Sequence, residues 1–169
     1  MKKDSYYWRD RVVVITGAAS GIGLALANAL IQRGSVVWLA DISNKVQDIA
    51  QELGQKARSH VFDVASFEQW QEFIERVIAR DSQIHFAFNN AGVGYGCDSL
   101  TLTNKHYDRY IDINIRGVTN SLSIIYPMMV EQGEGTIVNT ASVGGLIPSA
   151  LITPYSMTKN NSSSNKEAF

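Results

Sequence analysis

Three residues in the last third of the chain, Ser142, Tyr155 and Lys159, have the order and spacing of an acid/base site. Because Tyr155 and Lys159 are four positions apart, a helix would place both side chains on one face. An ammonium near a phenol favours the phenolate and lowers the phenol pKa from about 10 towards working pH, as an acid/base catalyst requires. The Ser142 hydroxyl can then donate a hydrogen bond to a substrate oxygen on which charge develops.

A glycine-rich segment, Thr16-Gly17-Ala18-Ala19-Ser20-Gly21-Ile22-Gly23, joins a predicted strand to a predicted helix. Glycines allow a tight turn there and bring the backbone close to a pyrophosphate, which the free N–H groups of a helix N-terminus favour. The candidate cofactor-binding residues of this segment are Gly17, Ser20, Gly21, Ile22 and Gly23.

Asp41 ends the second predicted strand, 18 positions after Gly23. Its carboxylate can accept hydrogen bonds from the ribose hydroxyls of NAD, whereas a 2′-phosphate would be repelled. No basic residue lies within positions 18–20 or directly after Asp41. The sequence therefore favours NAD over NADP as the cofactor.

These residues need a scaffold, and apolar periodicity predicts one. Short apolar runs predict strands at 12–16, 36–41, 59–63, 84–90 and 136–142. Amphipathic segments predict helices at 21–33, 43–53, 66–80 and 104–131; Ser66 and Gln69 form a capping-box signal, and Pro127 is expected to kink or end the last helix. The alternation predicts an α/β fold, a Rossmann-type doubly wound parallel sheet of about five strands.

Composition narrows the function classes further. The 169 residues are enough for one domain, and 15 basic and 16 acidic residues are well mixed, which indicates neither a nucleic-acid surface nor a polybasic membrane anchor. Cys97 is the single cysteine, and no apolar run has the length of a signal peptide or a membrane span. These features lead us to expect a cytoplasmic protein. The three histidines lack metal-ligand spacing, so we also expect no metal site.

The ordered motifs resemble those of the classical short-chain dehydrogenase/reductase family. Residues 16–23 match its TGxxxGxG pattern, residues 89–92 its NNAG motif and residues 155–159 its YxxxK signature. The resemblance extends from about residue 11 to 159 and implies a Rossmann domain over residues 1–159. It also implies an NAD-dependent oxidoreductase that transfers hydride between NAD(H) and a secondary alcohol or carbonyl substrate, with Tyr155 as the acid/base.

The resemblance implies further site residues. Asp63 and the backbone of Val64 would contact the adenine. Asn90, Ala91 and Gly92 would lie beside the cofactor ribose. Lys159, next to Tyr155, would also bind the nicotinamide ribose, and Asn114 would hold a water that links Lys159 to solvent. Taken singly, each of these residues has an ordinary structural alternative, such as a strand-end cap or a solvated helix charge.

Residues 160–169 are expected to form a polar tail outside the family pattern. Positions 160–165 are all Asn or Ser, which favour caps and turns over helix interiors. Relatives continue the helix near Tyr155 and add two strands and a substrate-covering segment. We therefore expect a C-terminally truncated fold, an uncovered fifth strand and a weakened version of the dimer contact through the long helix.

Two alternatives to the oxidoreductase stay open at the level of sequence. One is a truncated, catalytically impaired NAD-binding fragment or pseudoenzyme, for which the polar tail is the main argument. The other is an enzyme that uses the same Tyr and Lys for epimerisation or dehydration of nucleotide sugars. The NNAG pattern and the close spacing of the motifs disfavour this second alternative.

Overall fold

The computed structural model describes residues 4–96, 98–147 and 151–163, without the side chains of residues 4, 5, 99 and 161–163. Cys97 and positions 164–169 of the expected tail lie outside the described residues. Within the described part, no helix is long and apolar enough to cross a membrane.

Five parallel strands form one sheet in the order β3-β2-β1-β4-β5. The strands are β1 Val12–Thr16, β2 Val36–Asp41, β3 Ala57–Val61, β4 Phe86–Asn89 and β5 Thr136–Asn139. Strand order reverses between β1 and β4, and open parallel sheets bind their ligands at the carboxyl ends of the strands beside such a reversal. The predicted α/β, doubly wound sheet is confirmed.

Helices cover both faces of this sheet. They are α1 Asp4–Trp8, α2 Gly21–Gln32, α3 Lys45–Leu53, α4 Phe67–Asp81, α5 Asn104–Ile111, α6 Gly117–Gln132 and α7 Thr153–Ser163. Successive residues of β1 point into different cores: Val12 and Val14 pack with residues of α4 and α6, and Val13 and Ile15 with residues of α2 and α3. A strand buried on both faces explains the continuous apolar run.

Several element bounds differ from the sequence-based expectation. β3 begins and ends two residues earlier than predicted, because it pairs with β2 from Ala57 to Val61. β5 ends at Asn139 instead of position 142. Pro127 was expected to kink or end the long helix; it lies inside α6, which continues to Gln132, so Pro127 does not end the helix.

Two further local features differ from the expectation, one inside the long helix and one at the start of α4. The long helix is continuous but contains a π-helical segment, Asp112–Arg116, between α5 and α6. The capping box at α4 is half formed: Ser66 Oγ accepts from the Gln69 N–H at 3.2 Å, but the Gln69 side chain accepts from the backbone N–H of Asp63. The Gln69 amide therefore ties the β3–α4 connection to α4.

The described part of the polar tail is helical. α7 continues through residues 160–163, where Asn and Ser were expected to disfavour a helix. Asn160 Nδ2 donates to the Gly145 carbonyl at 2.8 Å, so a tertiary contact stabilises this turn. β5 pairs only with β4 among the described residues, and Val138 is 37% exposed, as expected for a sheet edge.

Candidate active site

The glycine-rich turn between β1 and α2 depends on the absence of side chains. Gly17 has φ +68°, and a Cβ there would lie 2.9 Å from the Ala91 Cα. A Cβ on Gly23 would overlap the Gly17 carbonyl oxygen. Gly21 has φ +54° and open space where a side chain would be. The turn is therefore packed on one side and open on the other.

Asn90 joins this turn to the end of β4. The backbone N–H groups of Asn90 and Ala91 each donate to Thr16 Oγ1 at 3.1 Å. Asn90 Nδ2 donates to the Thr16 carbonyl, also at 3.1 Å. The two strand ends that flank the reversal of strand order are thus held together. Sequence reasoning did not select Thr16 as a site residue, although it begins the glycine pattern.

Asp41 supports the same turn from β2. Its carboxylate oxygens accept hydrogen bonds from the backbone N–H groups of Ala19 at 3.0 Å and Ser43 at 2.9 Å. A carboxylate has about four lone-pair sites, so acceptor capacity remains for further donors. Asp41 therefore stabilises the turn and is also a half-buried hydrogen-bond acceptor beside it.

The arrangement fits a dinucleotide. The open side of Gly21 lies at the N-terminus of α2, and Ile22 is 70% exposed there. The pyrophosphate of a dinucleotide can approach a helix N-terminus closely at such a place. Asp63 and Val64 follow β3: Asp63 Oδ1 accepts from the Ala65 N–H, and the Val64 carbonyl accepts from Trp70 Nε1.

The ring of Tyr155 lies between two glycines. A Cβ on Gly94 would lie 2.9 Å from Tyr155 Cδ2 and Cε2. A Cβ on Gly144 would lie 3.1 Å from Cε1, on the opposite edge of the ring, and 3.4 Å from Ser142 Oγ. The ring thus occupies a slot that side chains at either glycine would narrow, and Ser142 lies at the same slot.

Ser142 is held by the turn that follows β5. Its Oγ accepts a hydrogen bond from the Gly144 N–H at 3.1 Å and caps the 3₁₀ turn Val143–Gly145. This bond uses the hydroxyl as an acceptor, so the O–H of Ser142 can still donate. The predicted strand would have ended at Ser142, but the observed turn directs the side chain to the Tyr155 slot.

Lys159 is buried and only 6% exposed, and its ammonium lies near Tyr155. The Nζ atom donates to the Thr140 carbonyl at 2.8 Å and lies 6.0 Å from the centroid of the Tyr155 ring. Burial lowers the pKa of Lys159 from its ordinary value of 10.5. Nζ is also 3.6 Å from the position that a Cβ on Gly92 would take.

Asn114 lies in the π-helical segment and is 1% exposed. Its Oδ1 accepts from the Val93 N–H at 2.8 Å, and its Nδ2 donates to the Val93 carbonyl and to Thr158 Oγ1, both at 2.9 Å. The Thr158 hydroxyl in turn donates to the Tyr155 carbonyl. Asn114 therefore connects the loop after β4 to the second turn of α7.

Asn114 Oδ1 and Lys159 Nζ thus lie beside Gly92, and the Tyr155 ring and Ser142 Oγ lie beside Gly144, near the carboxyl ends of β4 and β5. Sequence reasoning did not select Gly94, Gly144, Thr140 or Thr158 as site residues. Thr158 lies within the YxxxK segment and Gly94 lies two positions after the NNAG motif, whereas Thr140 acts through its carbonyl, which leaves no signature in the sequence. No group of three or more potential metal-binding side chains exists among the described residues.

The comparison with known families agrees with this geometry. A family model described as short chain dehydrogenase matches residues 11–164. This chain belongs to the short-chain dehydrogenase family. The matched range includes the glycine-rich turn, the β4 loop and the Tyr155–Lys159 turn, and it extends five positions beyond Lys159.

Individual relatives span several named activities. A 3-oxoacyl-[acyl-carrier-protein] reductase of Thermotoga maritima is 33% identical over 153 residues, which cover 88% of this chain and 62% of the relative. A cyclohexanol dehydrogenase of Acinetobacter sp. is 35% identical over 158 residues, with 90% and 63% covered. The chain therefore spans somewhat less than two thirds of the length of these relatives.

Solved structures show the same fold. A short chain dehydrogenase/reductase from Burkholderia phymatum, in complex with NAD, superimposes with a TM-score of 0.89 at 30% identity. The aligned region includes 93% of this chain and 58% of the Burkholderia chain. An NAD⁺-bound xylitol dehydrogenase gives a TM-score of 0.85 at 30% identity, with 90% and 61% covered.

Proposed function

We propose that this chain binds NAD and catalyses hydride transfer between NAD(H) and a secondary alcohol or the corresponding carbonyl compound. The observation that carries the proposal is the convergence of Tyr155, Ser142 and Lys159 at the carboxyl edge of the sheet, beside a glycine turn suited to a pyrophosphate. Family membership and the NAD-bound structures of similar proteins support it.

Each residue of the proposed site has a distinct role. When the alcohol is oxidised, the Tyr155 phenolate accepts the hydroxyl proton; in the reverse direction the phenol returns it. Ser142 donates a hydrogen bond to the reacting oxygen. Lys159 places its buried Nζ 6.0 Å from the centroid of the Tyr155 ring, where the Thr140 carbonyl orients it. A nicotinamide held beside this slot supplies the hydride chemistry, which side chains cannot perform.

The cofactor would be held by residues at the carboxyl edge of the sheet and by two residues of α7. The proposal assigns its pyrophosphate to Gly17, Ser20, Gly21, Ile22 and Gly23, its adenosine ribose to Asp41 and its adenine to Asp63 and Val64. Asn90, Ala91 and Gly92, together with Tyr155 and Lys159, would lie along the nicotinamide ribose. A negative carboxylate at Asp41 and the lack of a nearby basic residue support NAD rather than NADP.

The role of Asn114 follows from its position. Its amide holds the loop that carries Gly92 and the turn that carries Thr158. We therefore propose that Asn114 keeps Lys159 and Gly92 in register, in addition to the water relay that the family resemblance implies. Asn114 is a positioning residue in this account.

The experiment is to measure NAD binding and NAD reduction separately across a panel of secondary alcohols. Turnover that Tyr155→Phe abolishes, with NAD affinity kept, is the expected result. Binding without turnover of any substrate by folded protein would instead favour an NAD-binding protein that has no hydride-transfer activity. Failure of folded protein to bind NAD would overturn the proposal.

A further inference from the structure

A second polar site lies away from the glycine turn, beside the edge strand β3. An open cavity of about 500 Å³ is lined by Trp38 of β2, by Ala57, Arg58 and Ser59 of β3, and by Arg76 and Arg80 of α4. β3 pairs only with β2 among the described residues, so its other edge is unpaired. Three of the six residues that line the cavity are arginines, although the net charge of the chain is −1.

Arg58 forms the inner wall of this cavity. Its Nη2 pairs with Asp81 Oδ1 at 2.9 Å, and its guanidinium lies 5.9 Å from the centroid of the Trp38 ring. The Arg58 side chain is 17% exposed, yet its Nε and Nη1 atoms are buried without a hydrogen-bond partner among the described residues. Buried donors of a charged group are costly to leave unpaired, so they favour an acceptor at this place.

Charge at the rim is also uncompensated. Asp81 is shared between Arg58 and the indole N–H of Trp38, which donates to it at 2.7 Å. Arg76 and Arg80 are exposed and form no ion pair with any residue in the described ranges. Of the three guanidinium groups that line the cavity, only that of Arg58 has a carboxylate within ion-pair distance among the described residues.

We propose that this arginine pocket binds a small multivalent oxyanion of the phosphate class. Guanidinium groups bind phosphate oxygens through paired, charge-assisted hydrogen bonds. Arg76 and Arg80 would meet the anion at the rim, and Arg58 would donate to it from the Nε–H or from Nη1, which lie on different edges of its guanidinium group. The ligand site is separate from the glycine turn, because it is lined by residues of β2, β3 and α4 alone.

The test uses inorganic pyrophosphate as the probe, at constant ionic strength because screening weakens exposed charge interactions. Affinity is measured by calorimetry on the full chain, and the side-chain Nε–H signal of Arg58 is followed by NMR. The variant is Arg76→Ala/Arg80→Ala; both side chains are exposed, so the fold does not depend on them. Arg33→Ala/Arg116→Ala removes the same charge from exposed positions elsewhere.

Pyrophosphate is expected to shift the Arg58 Nε–H signal, and affinity should fall about tenfold or more in Arg76→Ala/Arg80→Ala but not in the matched control. Equal loss in both double variants would show a general charge effect and overturn the proposal. Undiminished binding in Arg76→Ala/Arg80→Ala would also overturn it. Neither readout depends on NAD turnover, so the outcome is independent of the proposed oxidoreductase activity.

Discussion

Asn114 Nδ2 donates a hydrogen bond to Thr158 Oγ1 across 2.9 Å and so joins the π-helical segment to the second turn of α7. Thr158 lies directly before Lys159, and its hydroxyl also donates to the carbonyl of Tyr155. The turn that carries the proposed acid/base residues is thus tied to a buried amide in another helix. This link explains how a short helix near the end of the described residues can hold Tyr155 and Lys159 in register.

Removing the Thr158 hydroxyl should destabilise this part of the fold. Thr158→Val keeps the volume but loses the bonds to Asn114 and Tyr155, and we expect the free energy of unfolding to fall by about 1–2 kcal/mol. Chemical denaturation measures the change. Thr119→Val is the matched control, because the Thr119 hydroxyl is exposed and bonds only to the nearby Arg116 carbonyl. Equal losses in both variants would contradict the structural role of Thr158.

Narrowing the slot around Tyr155 should slow the reaction without weakening cofactor binding. In Gly94→Ala the new Cβ would lie 2.9 Å from the ring, so the ring must move. Because misplacement by about 1 Å can cost about a hundredfold in rate, we expect a ten- to hundredfold lower kcat. Gly144→Ala, at 3.1 Å, should have a smaller effect.

The control for the slot is Gly96→Ala, where the nearest atom to the new Cβ would be the Leu151 carbonyl oxygen at 3.9 Å. That distance is ordinary contact, so kcat should stay within about twofold of the parent value. Steady-state kinetics and NAD titration separate the two effects. A parent-like kcat in Gly94→Ala would mean that the slot does not position the phenol.

Replacing Asp41 should change the preference between cofactors. Asp41→Ala removes the acceptor proposed for the ribose hydroxyls and the negative charge that opposes a 2′-phosphate, so NAD should bind roughly tenfold more weakly while NADP loses less or gains. Fluorescence titration with both cofactors measures this. Asp48→Ala, an exposed acid of α3, removes the same charge as a control. Parallel losses for NAD and NADP in Asp41→Ala would refute the assignment.

Acid should destabilise the fold through His85. Its Nδ1 accepts a hydrogen bond from the Val12 N–H at 3.0 Å, which requires the neutral ring. Burial, and then the charge of Arg11, lower the pKa of His85 from its ordinary value of 6.5, with Glu134 opposing them. Since the folded pKa is depressed, this stability is fully present above pH 6.5 and is lost as pH falls through the lowered folded pKa.

The measurement is the free energy of unfolding between pH 7.5 and pH 5, compared with His85→Asn. The Asn amide oxygen can accept from Val12 but does not titrate, so the variant should lose less stability on acidification. His60, whose pKa burial and Arg76 lower, adds a decline of the same sign in both proteins. An identical pH slope in the two proteins would rule out His85 as a source of the effect.

Continuous apolar runs predicted β1 and β2 with their observed bounds, because a strand buried on both faces must be apolar throughout. The bounds of β3 and β5 were less well predicted. A strand ends where its neighbour stops pairing, and this depends on register rather than on the composition of the strand itself. The end of β5 is also why Ser142, which was expected in the strand, lies in a turn beyond it.

The polar residues after Lys159 show the limit of helix propensity. Asn and Ser are poor helix formers, yet α7 continues through residues 160–163, and Asn160 bonds to Gly145. A Cβ on Gly145 would lie 2.5 Å from the backbone carbon of Lys159, so the 3₁₀ turn packs directly against α7. Such a contact between distant segments outweighs a propensity difference of a few tenths of a kcal/mol per residue.

The sequence by itself determined the fold class and the family and selected the candidate site residues, because these follow from local periodicity and from side chains at fixed spacing. Only the tertiary structure decided how the site is held. The slot around Tyr155 consists of missing side chains, and Lys159 is oriented by the carbonyl of Thr140. The arginine pocket likewise joins residues of three elements. No pattern along a chain predicts empty space, backbone acceptors or contacts between distant segments, since these exist only after the chain has folded.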